Sequence, residues 1–516
     1  MKSCLSRVGF IAGYLQIDPP EATMKANGVA RPSDAGSRGQ TLLILGATGD
    51  LTKRLLLPGL GGLLANGRGD GLTLIGSAIQ EHSDDSWRAR VDESFATIDA
   101  RGAEVEAVVR GTRYVQADVT REEDLRRLLT ACEGRAILYF ALPPQVTTRA
   151  CRALAKIGVP EGTRLVFEKP FGTSAASAQM LNDLVTRLVP EEQVYRVDHY
   201  LGMSTVLSIL GLRFANRMIE PVLNADHVER VDIMFDESLA LEGRAGYYDG
   251  AGALVDMIQS HGLQVLSLFA MDPPSTLGAR DLRDAKAQVL RATRVWNADP
   301  VASSRRARYT AGSIGTRNVP SYVDEPGVDP ERGTDTFAEV MLEVNTWRWA
   351  GVPFRVRAGK ALRALHKAIL VTFRKPKCLP NGLSGYDQPD RLHIGLDPGV
   401  LGIQLNVNGP GDPTGLEPVR LRTETCPGDL PPYGELLAGV LAGDPTLFVR
   451  GETAVDCWSI IEPVQRAWQA GDVPLEEYRA GSLGPHARRL DHASTRPRVS
   501  GKRLIANTNA TAANPA

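Results

Sequence analysis

Arg196, Asp198, His199 and Tyr200, four groups able to carry protons or bind anions, crowd into five positions of EQVYRVDHYLGMSTV, residues 192–206. Such a density of ionisable groups between apolar neighbours marks either a site or a wet turn. A second stretch, GYYDGAGALVDMIQSHGLQVLSLFAMDPP, reads as a long helix ended by Pro273 and Pro274. Leu254, Met257, Ile258, His261, Val265, Leu268 and Phe269 fall on one helical face, which seats His261 in an apolar stripe flanked by Asp256 and Gln259. A histidine there is either a core imidazole bonded to backbone or a base. An imidazole oriented by a carboxylate removes a hydroxyl proton near neutral pH, and Asp198 is the candidate orienter from another segment. A third stretch, GVPFRVRAGKAL at 351–362, gathers Arg355, Arg357 and Lys360 around a glycine. It is a solvated strand end or an anion clamp.

Elements must bring these groups together, and the chain supplies them in alternation. TLLILGATG (41–49) is an apolar run ending in glycines, the pattern of a buried parallel strand turning into a helix. DLTKRLLLPGLGGLLANG is that helix, with Asp50 near its positive end and Leu55, Leu56, Leu60, Leu63 and Leu64 as its apolar face. Gly46 and Gly49 let backbone approach a ligand there, a shortened GxxG form of the dinucleotide fingerprint whose alternative is a plain strand-to-helix turn. GLTLIGSAIQ (71–80), RAILYFALPP (135–144) and TRLVFEKPFG (163–172) are further strands, with helices such as EEDLRRLLTAC between them. Alternation of this kind predicts a doubly wound parallel sheet whose ligand lies beyond the strands' carboxyl ends, where the Gly46 turn, Pro143 and Lys169 all fall. After residue 200, VERVDIMFDESLALE, AILVTFRK and RLHIGLDPG read as longer strands of an antiparallel sheet. The expected division is a disordered extension over 1–40, a nucleotide-binding domain over 41–200, a substrate and dimerisation domain over 201–487, and a disordered tail over 488–516.

Composition narrows the partners. The 59 Lys and Arg against 60 Asp and Glu leave a net charge of -1, which favours neither nucleic acid nor an acidic membrane. A small molecule is the default ligand. Six cysteines never reach CxxC spacing, no His, Cys and carboxylate cluster has metal-ligand spacing, and no run is long enough to span a membrane. A reducing cytoplasm is the expected compartment.

With these stretches read, the chain resembles the glucose-6-phosphate dehydrogenase family. The resemblance rides on GATGDLTKR, YFALPP, FEKPFG, RVDHYLG, LRFANR, EGRAGYYDGAGALVDMIQSH, GVPFRVRAGKAL, GDPTLFVR and LEEYRAGSLGP, in consistent order over about residues 41 to 487. It implies an α/β Rossmann-type domain followed by an α+β domain with a large, mainly antiparallel sheet, assembled as a homodimer or homotetramer. It implies oxidation of C1 of glucose 6-phosphate to the lactone, with hydride transfer to NADP, as the first step of the oxidative pentose phosphate pathway. Carried over by motif, His261 is the general base and Asp198 holds and charge-balances it. Gly46, Thr48, Gly49, Asp50 and Leu51 form the dinucleotide turn. Lys169, with Pro143 and Pro170, lies by the nicotinamide and sugar. Glu237 and Asp256 bond sugar hydroxyls, while His199, Tyr200 and Lys360 hold the 6-phosphate.

Three positions depart from the family pattern. Met203 replaces a lysine of HYLGK on the substrate phosphate, exchanging a charged donor for a thioether. Leu55 replaces another lysine near the cleft. Ile79 stands at the end of the second strand, where NADP-using members carry an arginine for the 2′-phosphate. Thr48 remains to bond that phosphate, and Arg113 or a residue of 81–90 is the candidate replacement cation. The departures keep open NAD as cofactor, a different aldose as substrate, and a non-catalytic homologue.

Overall fold

The apolar runs that end in glycine or proline form parallel strands: β1 (Gln40–Leu45), β2 (Leu72–Ala78), β3 (Arg113–Gln116), β4 (Arg135–Phe140), β5 (Arg164–Glu168) and β6 (Val194–Val197). They make one six-stranded sheet of order β3-β2-β1-β4-β5-β6, with every neighbouring pair parallel. Along β1, Leu42 and Ile44 enter one core and Leu43 and Leu45 the other, so helices cover both faces. The strand order reverses between β1 and β4, which opens a crevice beyond their carboxyl ends. The computed structural model describes residues 39–485 apart from Asp70, Asp387, Cys426 and Pro427. All but residues 39 and 40 of the two segments expected to be disordered lie outside the described residues.

The second sheet has ten strands. It is built from β7 (Val228–Asp236), β8 (Thr293–Val295), β9 (Ser304–Thr310), β12 (Phe337–Val344), β13 (Pro353–Gly359), β14 (His366–Phe373), β15 (Arg391–Asp397), β16 (Gly399–Asn408), β17 (Leu416–Glu424) and β18 (Leu475–Arg479). A separate hairpin joins β10 (Gly312–Ile314) to β11 (Arg317–Val319). Within the ten-stranded sheet the pairs are antiparallel except β7 with β13 and β9 with β18. The parallel β7 and β13 end side by side at Asp236 and Gly359, so Glu237 and Lys360 emerge together.

The segment 245–270 differs from a plain long helix. Gly252 breaks it at φ 67° and ψ 175°, and the Asp335 carboxylate receives the Leu254 N–H where the helix restarts. A Cβ on Gly252 would meet Asp335 Oδ1 at 2.4 Å. Residues Leu254–Gly262 are then wound as a π-helix before α-helix Leu263–Ala270. Ideal α winding would set residues five apart about 140° around the axis. The wider turn stacks them, and Asp256 and His261 both face the cleft. The helix is buried almost all round rather than along one stripe.

Leu55 also departs from the predicted apolar face. It is 46% exposed while Leu56, Leu60, Leu63 and Leu64 are buried. The π turn Thr52–Leu56 precedes the α-helix Leu57–Ala65 and shifts its phase. The helix Pro432–Ala442 returns to the first sheet, where Tyr433, Leu436, Leu437, Val440 and Phe448 share a core with Leu56, Leu57 and Leu60.

Candidate active site

Asp198 follows the last residue of β6 and caps the short turn His199–Gly202, where it accepts the Tyr200 N–H at 3.1 Å. The same Oδ1 lies 2.5 Å from His261 Nδ1, and both side chains are buried. Burial raises the Asp198 carboxyl, but His261, His199 and Lys169 outweigh it and hold the group at about 2. Pairing alone would raise the imidazole. Instead, burial outweighs the attraction of Asp198 and, with Lys169, leaves His261 below its ordinary 6.5. The resting pair is therefore a carboxylate and a neutral imidazole. An ionised carboxylate only accepts, so Nδ1 carries the proton and Nε2 is left to take another. His199 packs edge-on against His261 with ring centroids 4.5 Å apart, and burial and His261 keep it neutral.

Lys169, the first residue beyond β5, reaches the π-helix. Its Nζ donates to Asp256 Oδ1 at 2.8 Å and to the Asp256 carbonyl at 2.5 Å. Burial opposes both charges, but each raises the other's ionised fraction, so the pair stays charged. Beside it, Glu168 is buried against two phenols, 2.5 Å from the Tyr139 hydroxyl and 3.5 Å from that of Tyr433. Burial pushes its carboxyl up to about 7.

A second polar cluster surrounds Glu237. Lys360 Nζ lies 2.8 Å from Oε2 and Lys367 Nζ 3.3 Å from Oε1. The Lys360 ammonium stands 5.0 Å over the Tyr248 ring and that of Lys367 stands 5.7 Å over Tyr200. Met203 is half-buried and packs on the larger core. Arg355 and Arg357 do not join this cluster, so of the alternatives for GVPFRVRAGKAL an anion clamp does not include them. Strand alternation buries Phe354, Val356 and Ala358 and turns the arginines to the other face, where Arg355 pairs with Asp232 at 2.7 Å and Arg357 with Asp236. Of the three cations only Lys360, past the strand end, reaches the cleft.

The glycine turn fits a dinucleotide. Gly46 has φ 95°, and a Cβ there would stand 2.2 Å from the Ala141 carbonyl oxygen, so β1 and β4 meet bare backbone at the crevice. Pro143 caps the helix Pro144–Ile157 on the far side. Thr48 Oγ1 donates to Gln80 Oε1 at 3.0 Å, and Ile79 beside it is 63% exposed. Asp50 is exposed and pairs with Arg54 at 3.2 Å, and Leu51 is half-buried under the turn. Arg113 is excluded as the replacement cation. It pairs in register with Ile75, away from the carboxyl end of β2, and its guanidinium bonds the Ala131 carbonyl. Arg90 is the cation at hand, with Nη2 donating to the Thr48 carbonyl at 2.7 Å and the Gly49 carbonyl at 3.1 Å.

Comparison with known proteins agrees with this geometry. The family profile "Glucose-6-phosphate dehydrogenase, NAD binding domain" matches residues 43–207, and "Glucose-6-phosphate dehydrogenase, C-terminal domain" matches 210–496. The chain belongs to the glucose-6-phosphate dehydrogenase family. It is 39% identical to glucose-6-phosphate 1-dehydrogenase of Gluconobacter oxydans, over 86% of this chain and 94% of that one. The Bacillus subtilis relative is 34% identical over the same shares. A solved glucose-6-phosphate dehydrogenase in complex with its substrate glucose-6-phosphate aligns at TM-score 0.77 and 27% identity, covering 87% of this chain and 96% of that one. The Mycobacterium avium enzyme aligns at TM-score 0.74 and 30% identity, with the same coverage.

Against this family background the structure brings Asp198, His199, Tyr200, Lys169, Asp256 and His261 into one place, with Glu237 and Lys360 beside them. Three groups were not among the residues singled out in sequence. Glu168 sits in the FEKPFG motif, but only burial reveals its raised carboxyl. Lys367 lies inside a strand with no motif around it, while Arg90 falls in the 81–90 stretch named for the replacement cation. Lys286 lies buried in helix Ala279–Ala292, where burial pulls its ammonium to about 8 and Asp198 is its largest attractive charge.

Proposed function

We propose that this site oxidises C1 of glucose 6-phosphate to the lactone, with His261 as general base and NADP as hydride acceptor. The 2.5 Å contact between Asp198 and a neutral, buried His261 carries the reading. His261 Nε2 takes the proton of the C1 hydroxyl, and the imidazolium so formed is balanced by Asp198. The C1 hydrogen leaves as hydride, and the hydroxyl's electron pair becomes the second C–O bond of the lactone carbonyl. The bound dinucleotide supplies the electrophilic ring that receives that hydride. Asp256 and Glu237 accept hydrogen bonds from sugar hydroxyls. His199, Tyr200 and Lys360 hold the 6-phosphate. Lys169, anchored on Asp256, and Pro143 and Pro170 position the nicotinamide against the sugar.

Gly46, Thr48, Gly49, Asp50 and Leu51 hold the cofactor phosphates, with Thr48, Gln80 and Arg90 around the adenosine 2′-phosphate. Arg90 suits that role because no carboxylate lies within 4 Å of it among the described residues. We place the division of labour between the two parts of the chain near residue 200. The ten-stranded sheet is the surface for a homodimer or a homotetramer, supported by Leu405, Val407, Val419 and Leu421 standing exposed on its outer strands. A cytoplasmic location is supported by free Cys132, Cys151, Cys378 and Cys457, and no helix of the described residues is long and apolar enough to cross a membrane.

The test is a matrix of initial rates crossing glucose 6-phosphate and free glucose with NADP and NAD, with His261→Ala as the blank. The expected result is fast NADPH formation with the phosphorylated sugar and none with the blank. A preference for the phosphorylated sugar below about tenfold would overturn the substrate reading, because one charged contact alone exceeds that. Undiminished turnover by His261→Ala would remove the base.

A further inference from the structure

The site has lost one cation at Met203, yet its phosphate end is not short of charge. We propose that Lys367 supplies the ammonium that Met203 withholds, and so sets the preference for a sugar carrying a 6-phosphate. The inference rests on the functional reading above and names a residue for it that the motifs do not contain.

Three observations carry it. Lys367 lies on β14, whose register places it opposite Phe235 on β7, two residues before Glu237. From there its side chain runs past the end of β7 to Glu237, where its ammonium and that of Lys360 grip opposite oxygens of one carboxylate. Two cations at strand ends thus converge from different strands. Glu237 neutralises one of them, and Asp397, the other acidic neighbour of Lys367, stands 3.7 Å away and is partly in solvent.

The second observation is an unmet donor. The Tyr200 hydroxyl is buried and has no hydrogen-bond partner among the described residues. The carboxylates acting on it include Glu237 and Asp397, the same two that hold Lys367. A buried hydroxyl without a partner is unfavourable, so an acceptor oxygen arriving there is welcome. The third observation is position. Lys367 Nζ stands 5.7 Å over the ring of Tyr200, and its charge acts on His199 next door. His199, Tyr200 and Met203 belong to one short turn and the residue that follows it. The ammonium therefore approaches from the opposite strand the turn from which the family's lysine would extend. A phosphate seated against this turn meets Lys360, Lys367 and the Tyr200 hydroxyl at once, releasing part of the Glu237 carboxylate for the sugar.

Lys367→Met tests this with steady-state rates and with inorganic phosphate as a competitive inhibitor. The expected result is a rise of about 10- to 100-fold in KM for glucose 6-phosphate and in the phosphate inhibition constant, with KM for NADP unchanged. Lys367→Arg, which keeps the charge, holds the glucose 6-phosphate KM within about fivefold. The decisive variant is Met203→Lys in the Lys367→Met background, which restores affinity because it returns the cation to the turn. An unchanged KM and inhibition constant in Lys367→Met overturns the proposal, as does a parallel rise in KM for NADP, which marks general damage. Failure of Met203→Lys to restore affinity overturns the replacement. If Lys367→Met does not fold, the Lys367→Gln protein and the phosphate inhibition constant of Met203→Lys alone decide: a second cation tightens phosphate only if the site lies at this turn. Absence of any turnover of glucose 6-phosphate by the unaltered protein refutes the underlying functional reading, a result distinct from all of these.

Discussion

Replacing Asp198 by asparagine isolates the charge of the Asp198–His261 pair from its geometry. In the native pair Oδ1 receives the Tyr200 N–H at 3.1 Å and faces His261 Nδ1 at 2.5 Å, while Oδ2 is buried with no partner among the described residues. In Asp198→Asn the Tyr200 N–H selects the amide oxygen for the Oδ1 place and turns the NH2 group to the other side. The imidazole keeps its orientation and its Nδ1 proton, and only the negative charge is gone. That charge matters when the imidazolium forms. A hydrogen bond to a charged partner contributes about 1.5–3 kcal/mol, and two charges 4 Å apart at an effective dielectric near 20 attract by about 4 kcal/mol. The two overlap, which leaves roughly 3–5.5 kcal/mol on the barrier and a fall in kcat of about 100- to 10,000-fold. Initial rates of NADPH formation at saturating glucose 6-phosphate measure it, with KM expected to stay within about threefold because the interaction belongs to the transition state. Circular dichroism and thermal melting establish that the variant is folded. A folded Asp198→Asn protein with kcat within about tenfold of the unaltered one would refute the reasoning, since the imidazolium would then need no partner.

Three further outcomes follow from the same structure. Gly46→Ala abolishes NADP binding in a fluorescence titration, because its Cβ would overlap the Ala141 carbonyl at 2.2 Å; Gly158→Ala, at φ 77° with nothing within 4 Å, loses stability but keeps the cofactor. Arg90→Ala raises the dissociation constant for NADP by about tenfold or more and leaves that for NAD unchanged, and equal losses for both would remove Arg90 from the 2′-phosphate. The kcat/KM profile against pH has its acid limb below 6.5, because burial lowers His261 and the base stays neutral until the pH falls through that lowered value; an acid limb above 6.5 would contradict the burial argument.

The parallel sheet was readable because its strands are continuous apolar runs that end in glycine or proline, and burial on both faces requires that pattern. The chemistry was readable in kind but not in distance. Asp198 and His261 are 63 residues apart, and no local pattern says that a strand end and a helix will meet. The π winding of Leu254–Gly262 left only Gly252 as a trace, since it depends on Asp335 arriving from elsewhere to receive the restarted helix. The two readings of Arg355 and Arg357 could have been separated in sequence: the alternation of Phe354, Val356 and Ala358 already assigns them to the opposite face of the strand. Lys367 was invisible for a different reason, and Arg90 was legible only as one member of the stretch 81–90. A lysine in a strand and an arginine in a polar helix look like ordinary solvated charges until the neighbouring strand end or turn is in place.

The return of the Pro432–Ala442 helix to the first sheet bears on how the protein is made. Tyr433, Leu436, Leu437, Val440 and Phe448 complete a core whose other side, Leu56, Leu57 and Leu60, is synthesised nearly four hundred residues earlier. At about 5–20 residues per second, the emerging dinucleotide-binding half waits on the order of tens of seconds with that apolar seam open to water. A fragment cut near residue 200 keeps all six strands of the sheet but leaves the seam open, a liability for chaperones and for anyone expressing the half alone.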